Sequence, residues 1–197
     1  MVAVTVCNTV AISQTSQEWR QCSGGEGPIL DVVIGGCSAV IQAGQETSTR
    51  LAIAFNNRGV AYRLKGEYDR ALTDYDEAIR LNPNSANAHN NRGIIYRIKG
   101  DYDRAIRDYD EAILLESDFP AAFYNRAIAY SDKGDYDRAL TDFDIVLQFN
   151  ANNALALYAR GMAKLKKGDT EVGTADIAAA KAINPKVAEE YEHSWRR

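Results

Sequence analysis

Between residues 52 and 85, apolar and small side chains recur at intervals of three and four positions. This spacing places them on one face of an α-helix. Phe55, Gly59 and Tyr62 share a face of a predicted first helix. Gly66 is expected to end that helix, because a glycine just after the last periodic residue is a common stop signal.

A second helical stretch follows with the same period. Ala71, Tyr75 and Ala78 stand at i, i+4 and i+7 along it. Pro83 then prevents further helix, because proline lacks the backbone N–H and its ring clashes with the preceding turn. The segment is therefore predicted to form a pair of helices, a helical hairpin, joined by a short turn.

Gly59 is an unusual choice for the interior of a helix. Glycine costs a helix about 1 kcal/mol relative to alanine. A close approach between helices usually offsets that cost, so we predict that a neighbouring backbone or a large ring lies against Gly59.

The hairpin pattern returns after 34 residues, as from Gly59 to Gly93. Residues 52–85 and 86–119 are identical at 21 of 34 positions. Further copies occupy 120–153 and 154–187, and the last is eroded, with Lys164 replacing a tyrosine and Gly173 an alanine. A fixed period of this length indicates an array of stacked units.

The order of aromatic, small and proline residues in these units resembles the tetratricopeptide (TPR) repeat. The residues that carry the resemblance are Phe55, Gly59, Tyr62, Ala71, Tyr75, Ala78 and Pro83, then His89, Gly93, Tyr96, Ala105, Tyr109 and Ala112, then Phe123, Ala127, Tyr130, Ala139 and Phe143. The resemblance implies an all-α fold, a right-handed superhelix of stacked helix-turn-helix (TPR) repeats.

The repeats divide the chain into four parts. Residues 1–18 are an N-terminal tail or degenerate signal segment, and 19–51 a degenerate cysteine-containing hairpin. Four TPR repeats follow at 52–85, 86–119, 120–153 and 154–187. Residues 188–197 are predicted to form a capping helix, because Val187, Tyr191 and Trp195 make an apolar stripe that would cover the last repeat.

An arginine precedes the small residue of every first helix, namely Arg58, Arg92, Arg126 and Arg160. An aspartate follows each arginine 16 residues later, namely Asp74, Asp108, Asp142 and Asp176. A guanidinium group matches a carboxylate bidentately, so we expect four ion pairs that fix helix orientation within or between hairpins. The alternative is that both residues are solvated surface charges.

In TPR proteins the first helices line a groove, and the resemblance implies which residues face it here. They are Asn56, Asn57, Val60, Arg63, Leu64, Asn90, Asn91, Ile94, Arg97, Ile98, Tyr124, Asn125, Ile128, Tyr158 and Met162. Arg63 and Arg97 would make the early groove basic, and Tyr124 and Tyr158 would be aromatic anchors. The matching partner is an extended segment with acidic and apolar residues.

Three of these groove residues, Asn57, Asn91 and Asn125, recur once per repeat. An asparagine amide offers both a donor and an acceptor, so such a ladder can bind the backbone of an extended peptide regardless of the peptide's sequence. The alternative is that these amides hydrogen-bond within or between the helices themselves.

Composition and charge narrow the function further. The 197 residues are 46% hydrophobic and 25% charged, as in ordinary globular proteins, and the net charge of −4 argues against nucleic-acid binding. No apolar run is long enough for a membrane span. No nucleotide-binding, hydrolase or zinc-protease motif occurs, so we expect a protein- or peptide-binding scaffold that is not an enzyme and needs no cofactor or metal. The alternative is a structural array that forms homo-oligomers through its terminal helices.

The three cysteines, Cys7, Cys22 and Cys37, lie in the first fifth of the chain. Their spacing is not that of metal ligands. Cys22 and Cys37 could close a hairpin as a disulfide, and idle thiols are the alternative. The region resembles bacterial exported TPR proteins in which a cysteine pair precedes the repeats. That resemblance implies a Cys22–Cys37 disulfide and a periplasmic or exported location, although the N-terminus lacks the basic start of a signal peptide.

Overall fold

The computed structural model describes residues 17–24 and 30–195, with side chains up to residue 193. Cys7 and residues 1–16 of the candidate signal segment lie outside these residues, as does the side chain of Trp195. The described residues form α-helices, turns and short loops, with no β-strand among them. None of these helices is long and apolar enough to span a membrane.

The chain divides into two compact units, residues 1–91 and 92–197, with the boundary inside helix α5. The helices are α1 (residues 17–22), α2 (Leu30–Ala43), α3 (Ser48–Leu64), α4 (Tyr68–Leu81), α5 (Ala86–Ile98), α6 (Tyr102–Leu115), α7 (Pro120–Lys133), α8 (Tyr136–Phe149), α9 (Ala154–Lys167), α10 (Thr170–Ile183) and α11 (Val187–Trp195).

Successive helices pack against one another within each unit. In the first unit α3 packs against both α2 and α4. In the second unit the same order runs from α6 through α10, so each hairpin stacks on the next. The expected all-α fold of stacked helix-turn-helix hairpins is confirmed.

The turn that joins the two helices of a repeat has a local explanation. Gly134 ends α7 with φ of 87°, a left-handed conformation that glycine adopts without strain. Asp135 then caps α8, because its carboxylate accepts a hydrogen bond from the Arg138 N–H at 3.3 Å. The Arg138 guanidinium returns over the Tyr130 ring, 4.6 Å from its centroid. The turn therefore places the second helix against the recurring tyrosine position of the first.

Three element boundaries differ from the expected limits. Helix α1 begins at residue 17, inside the expected N-terminal tail. Helix α3 begins at Ser48, so residues 48–51 belong to it and not to the N-terminal hairpin. The reason is the Thr47 side chain, which accepts a hydrogen bond from the Arg50 N–H and caps the helix there. Helix α11 begins at Val187, one residue before the expected cap.

The prediction for Gly59 is confirmed. A Cβ atom on Gly59 would lie 2.7 Å from Cε1 of Tyr75, and one on Gly93 would lie 2.7 Å from Cε1 of Tyr109. Both rings are fully buried. Each glycine therefore allows the ring of the second helix to lie directly on the backbone of the first.

In the eroded fourth repeat, the close approach of the two helices involves glycines on both of them. A Cβ on Gly161 would lie 2.8 Å from the carbonyl oxygen of Gly173, and one on Gly173 would lie 2.9 Å from that of Gly161. Ile177 stands where the other repeats have an aromatic ring. Because no ring separates α9 from α10, the two backbones meet at paired glycines.

A disulfide joins α1 to α2 in the first unit, between Cys22 and Cys37. Both cysteines are buried, together with Val40 and Ala54. Gly36 permits the close approach, because a Cβ there would lie 2.6 Å from Cβ of Gln21. The crosslink closes a loop of 15 residues, which by the chain-entropy account stabilises the fold by about 3 kcal/mol.

Two alanine substitutions in the first unit test the glycine–ring contact. Gly59→Ala should destabilise the protein by about 1–3 kcal/mol, because the buried Tyr75 ring must move to admit a methyl group. Gly35→Ala is the matched control, since Gly35 is also helical but no neighbouring atom lies within 4 Å of the position that a Cβ would take. It should stabilise the protein by up to about 1 kcal/mol through helix propensity. Urea unfolding measures both, and equal stabilisation by the two changes would contradict the packing account.

Candidate functional site: the first-helix face

The predicted groove residues lie on α3, α5, α7 and α9, the first helices of the four repeats. We call the surface that they form within each unit the first-helix face of that unit. In the first unit it comprises Asn56, Asn57, Val60, Arg63, Leu64, Asn90 and Asn91. In the second unit it comprises Ile94, Arg97, Ile98, Tyr124, Asn125, Ile128, Tyr158 and Met162.

The frame behind this face is held by the four predicted arginine–aspartate pairs. In each pair the arginine Nε and Nη2 donate to the two carboxylate oxygens of the aspartate. The distances are 2.8 and 2.8 Å for Arg58–Asp74, 2.9 and 2.7 Å for Arg92–Asp108, 2.8 and 2.8 Å for Arg126–Asp142, and 2.7 and 2.7 Å for Arg160–Asp176. The bidentate geometry joins the first and second helix of every repeat.

The remaining guanidinium nitrogen of the arginine reaches the preceding hairpin. Nη1 of Arg126 donates to Asp110 on α6 at 2.6 Å, and Nη1 of Arg160 donates to Asp144 on α8 at 2.7 Å. In the first unit Nη1 of Arg58 donates to the Ser38 hydroxyl on α2 at 3.0 Å. One arginine thus ties together three helices, so the pairs act both within and between hairpins.

These second acceptors were not among the predicted ion-pair residues. The signal was present, because Asp110 and Asp144 stand two residues after the paired aspartates Asp108 and Asp142. They belong to the recurring acidic pattern of the second helix, which is also what a solvated helix face looks like. Only the position of the next first helix distinguishes the two cases.

The paired aspartates are buried, with side-chain exposure of 4% for Asp142 and 5% for Asp74. A buried carboxylate without its partner is costly, so each arginine is needed to keep the second helix in place. This burial does not fit the alternative of solvated surface charges.

The last pair has an additional donor. Nζ of Lys164, at the eroded tyrosine position, donates to Asp176 at 2.8 Å. Burial opposes ionisation of Asp176, but the hydrogen bonds from Arg160 and Lys164 outweigh it and lower the pKa of this carboxyl below its usual range. Lys164 therefore replaces an aromatic contact with an electrostatic one.

Asn57 and Asn91, the ladder asparagines of the first unit, donate hydrogen bonds within that unit. Nδ2 of Asn57 donates to the carbonyl of Cys22 at 3.3 Å, which satisfies the C-terminal end of α1. Nδ2 of Asn91 donates to Oδ1 of Asn56 at 3.0 Å. These bonds run from one first helix to the preceding one, which is the structural alternative that the sequence left open.

Apolar residues of the face in the first unit line a cavity of about 230 Å³. Val60 and Leu64 form one wall, and Leu30 and Val33 of α2 contribute to another. Asn57 and Cys22 also border it. The cavity thus lies beside the disulfide.

A pocket of about 280 Å³ opens on the face of the second unit. Its lining residues are Pro120, Ala121, Tyr124, Asn125, Val146, Asn153 and Leu155. The Tyr124 ring is fixed by an edge contact with Phe143, with centroids 5.9 Å apart. Helices α7 and α9 supply the walls, and Val146 of α8 lies between them.

Arg97 does not supply the basic contact that was expected of it. Its side chain is 9% exposed, and its Nη1 lies 3.2 Å from Oδ2 of Asp132, which is 6% exposed. The two charges offset each other, so this part of the face is not basic. The equivalent Arg63 lies near the hydroxyl of Tyr75, whose pKa is raised mainly by burial.

Asn90 and Ile128 also differ from the expectation that they line an open groove. They are only 6% and 4% exposed, because neighbouring helices cover them, so they offer a partner almost no surface. His89, expected to pack in an aromatic position, is buried with Nε2 at 3.0 Å from the Pro83 carbonyl oxygen.

Tyr158, expected to be an aromatic anchor for a partner, already has an aromatic neighbour. The ring of Tyr191 on α11 lies 5.2 Å from it, centroid to centroid. Tyr191 was expected in a capping helix, but this contact could not be predicted, because the repeat pattern that orients the other helices ends at Pro185.

Two repeat-family models match most of the chain. One, described as "TPR repeat", matches residues 59–97 and 93–134, and the other, described as "Tetratricopeptide repeat", matches residues 124–188. No curated protein sequence matched the chain.

Solved structures of similar fold include MamA and YrrB. A structure of MamA has a TM-score of 0.71 and 19% identity, covering 89% of this chain and 94% of that one. The structure titled "YrrB: a TPR protein with an unusual peptide-binding site" has a TM-score of 0.70 and 19% identity, covering 93% of this chain and 92% of that one. These likenesses support the fold.

A double-mutant cycle in the second unit tests the buried ion pair. Arg126→Met should destabilise the protein by about 3–5 kcal/mol, because it leaves Asp142 buried and unpaired. The double variant Arg126→Met/Asp142→Leu should be more stable than this single variant, because both charges are gone. Arg107→Met is the control: Arg107 is exposed on α6, so the change should cost about 0.5 kcal/mol or less. Chemical unfolding of these variants and of Asp142→Leu alone completes the cycle, and full additivity of the two single changes would refute the buried pair.

A second change tests the donor at Lys164. Because the folded-state pKa of Asp176 is lowered, its ion pairs stabilise the fold above the unfolded-state pKa of about 3.9, and that stabilisation is lost as pH falls through the folded-state value. Lys164→Met should therefore raise the pKa of Asp176, as followed by carbon-detected NMR of the side-chain carboxyl. Lys166→Met is the control on the same helix. An unchanged Asp176 titration in Lys164→Met would rule out the contact.

Proposed function

The chain belongs to the tetratricopeptide-repeat family, and on that premise we propose that it holds an extended segment of a partner protein on the first-helix face of its second unit. The repeats are a scaffold for protein interaction, since stacked hairpins present a preformed surface. The protein acts by binding, and its function requires no bond to be made or broken.

The observation that carries the proposal is the pocket between α7 and α9. Val146, Leu155 and Pro120 make its lining apolar, and the amides of Asn125 and Asn153 border it. Binding sites commonly combine apolar walls with a few polar groups that fix orientation. The pocket therefore suits one large apolar side chain of a partner, with its backbone beside the asparagines.

The asparagine ladder contributes less than the sequence suggested. In the first unit the Nδ2 groups of Asn57 and Asn91 already donate to the preceding first helix. A hydrogen bond to a partner backbone contributes about 0.5–1.5 kcal/mol net, and it would have to replace these existing bonds. We assign recognition to the second unit because an apolar pocket opens there, and Asn125 is the ladder residue that borders it.

The partner is proposed to be apolar in its anchoring residue, with charge of secondary importance. The expected preference for acidic residues rested on Arg63 and Arg97, and Asp132 offsets the charge of Arg97. YrrB, which shares the fold, is described in its title as having a peptide-binding site, and this supports a peptide partner by analogy.

Assembly through the terminal helix is the weaker candidate. It needs the apolar stripe of α11 to be exposed, whereas Val187 is fully buried and Tyr191 packs against the second unit's own core. A location in an oxidising compartment fits the Cys22–Cys37 disulfide and is part of the proposal.

A single substitution should fill the pocket without removing a native contact. Ala121 is exposed at its rim, and Ala121→Trp should block entry of the partner's anchor. Peptides of twelve residues selected on the unaltered protein by phage display provide the probe, and their affinity should fall by about tenfold or more, since hot spots of this kind contribute at least about 2 kcal/mol.

Ala182→Trp is the matched control, because Ala182 is exposed on α10 and does not line the pocket. It should leave peptide affinity unchanged, as measured by fluorescence anisotropy. Equal binding to Ala121→Trp and the unaltered protein would place the site elsewhere. Failure to select any peptide would count against the proposed function itself.

A further inference from the structure

Helix α11 does not pack as the next first helix of the array would. At the corresponding earlier step, α9 packs mainly against the second helix α8 and only lightly against the first helix α7. Helix α11 reverses this preference, since it packs mainly against the first helix α9 and only lightly against α10. The C-terminal helix is therefore displaced toward the first-helix face of the second unit.

Tyr191 is the side chain that reaches onto this face. Its ring lies 5.2 Å from that of Tyr158 and packs against the core cluster formed by α6, α7, α8 and α9. Burial is the main reason that its pKa is raised to about 12, with further upward influence from Asp132 and an opposing one from Arg97. The phenol thus lies within electrostatic reach of charges on α7 and α5.

These charges are themselves evidence that the face is covered. Arg97 and Asp132 are on first helices, at positions that the repeat pattern assigns to an open groove, yet their side chains are 9% and 6% exposed. A buried ion pair at the floor of a groove needs something above it. Among the described residues of α11, Tyr191 is the one that interacts electrostatically with both charges.

We propose that α11 is a tethered occupant of the first-helix face of the second unit, and that a partner segment gains the part of this face around Tyr158 only by displacing Tyr191. This inference rests on the proposed function and deepens it. The partner segment should share the feature of α11 that reaches this face, which is an aromatic side chain on a helix. A second copy of α11 meets that description and supplies the test.

The tether determines how strong the competition is. A segment joined through only Asn184, Pro185 and Lys186 has a high effective concentration at its site, so a free copy of the same segment binds poorly while the tethered one is seated. Val187 is fully buried and fixes the start of α11, so release of Tyr191 can occur without loss of that anchor. When Tyr191 leaves the face uncovered in only a fraction of the molecules, the apparent affinity for a free peptide is reduced in proportion to that fraction.

The experiment uses the full chain and a fluorescein-labelled synthetic peptide of residues 186–197. The unaltered protein should bind this peptide weakly. Tyr191→Ala should bind it at least about tenfold more tightly, because the internal competitor is weakened while the face is intact. Glu192→Ala is the control on α11, since Glu192 is exposed, and should bind as the unaltered protein does. A peptide with Tyr191→Ala should not bind either protein.

A second measurement needs no substitution and so does not depend on the variant's folding. Excess peptide should accelerate hydrogen exchange in residues 187–195 of the unaltered protein, whereas a scrambled peptide should not. Equal peptide affinity for Tyr191→Ala and the unaltered protein, together with unchanged exchange, would overturn the inference.

The phage-selected peptides separate this outcome from failure of the proposed function. In one outcome, the selected peptides bind the unaltered protein and lose affinity for Ala121→Trp while the peptide of residues 186–197 fails to displace α11. In that case the proposed pocket function is supported and the inference about α11 is wrong. If the peptide of residues 186–197 binds Tyr191→Ala tightly while no selected peptide binds the pocket, the inference about α11 is supported and the proposed pocket function is wrong.

Discussion

The structure depends on a charged contact placed inside a packing interface. Each repeat buries an aspartate of its second helix, and a carboxylate in that position is tolerable only with a donor aimed at both oxygens. Arg126 meets this need for Asp142 and also reaches Asp110 of the preceding hairpin. The same side chain therefore sets the geometry within a hairpin and the stacking of one hairpin on the next. Apolar contacts supply most of the stabilisation, but they are non-directional, and the fork of the guanidinium is directional.

The glycine–ring contact works together with this pair. Tyr75 can lie on the α3 backbone because Gly59 has no side chain, and the close approach brings Arg58 within reach of Asp74. In the fourth repeat the ring is missing and the glycines of α9 and α10 meet directly. The ion pair Arg160–Asp176 is nevertheless kept, with Lys164 as an added donor. Ring and glycine can therefore be exchanged for another close contact, whereas the ion pair is common to all four repeats.

The fold was predictable because it repeats. A single Arg58 would be ambiguous, but its four copies at a fixed spacing identify the helices, their turns and the Arg–Asp partners. The candidate site was less predictable for a physical reason. Whether Asn57 offers its amide to a ligand or to the Cys22 carbonyl depends on where the preceding helix ends, and this region lies outside the repeat pattern. Arg97 and Asp132 are 35 residues apart on successive first helices, and their pairing follows from helix stacking and not from any local motif.

The helices before and after the repeats are not determined by the repeat pattern. Both α1 and α11 contact residues of the first-helix face. At the start, α1 is fixed by a disulfide and receives a hydrogen bond from Asn57. At the other end, the repeat pattern stops near Pro185, and the apolar residues of α11 pack in a different way. Val187 takes the last position of the regular core, and Tyr191 turns toward Tyr158 on the first-helix side. A terminal helix that covers its own array in this way protects apolar surface in the unbound protein. If a partner binds there as proposed, access to that surface is an equilibrium between the tethered helix and the partner, and the partner's affinity depends on how firmly Tyr191 is packed.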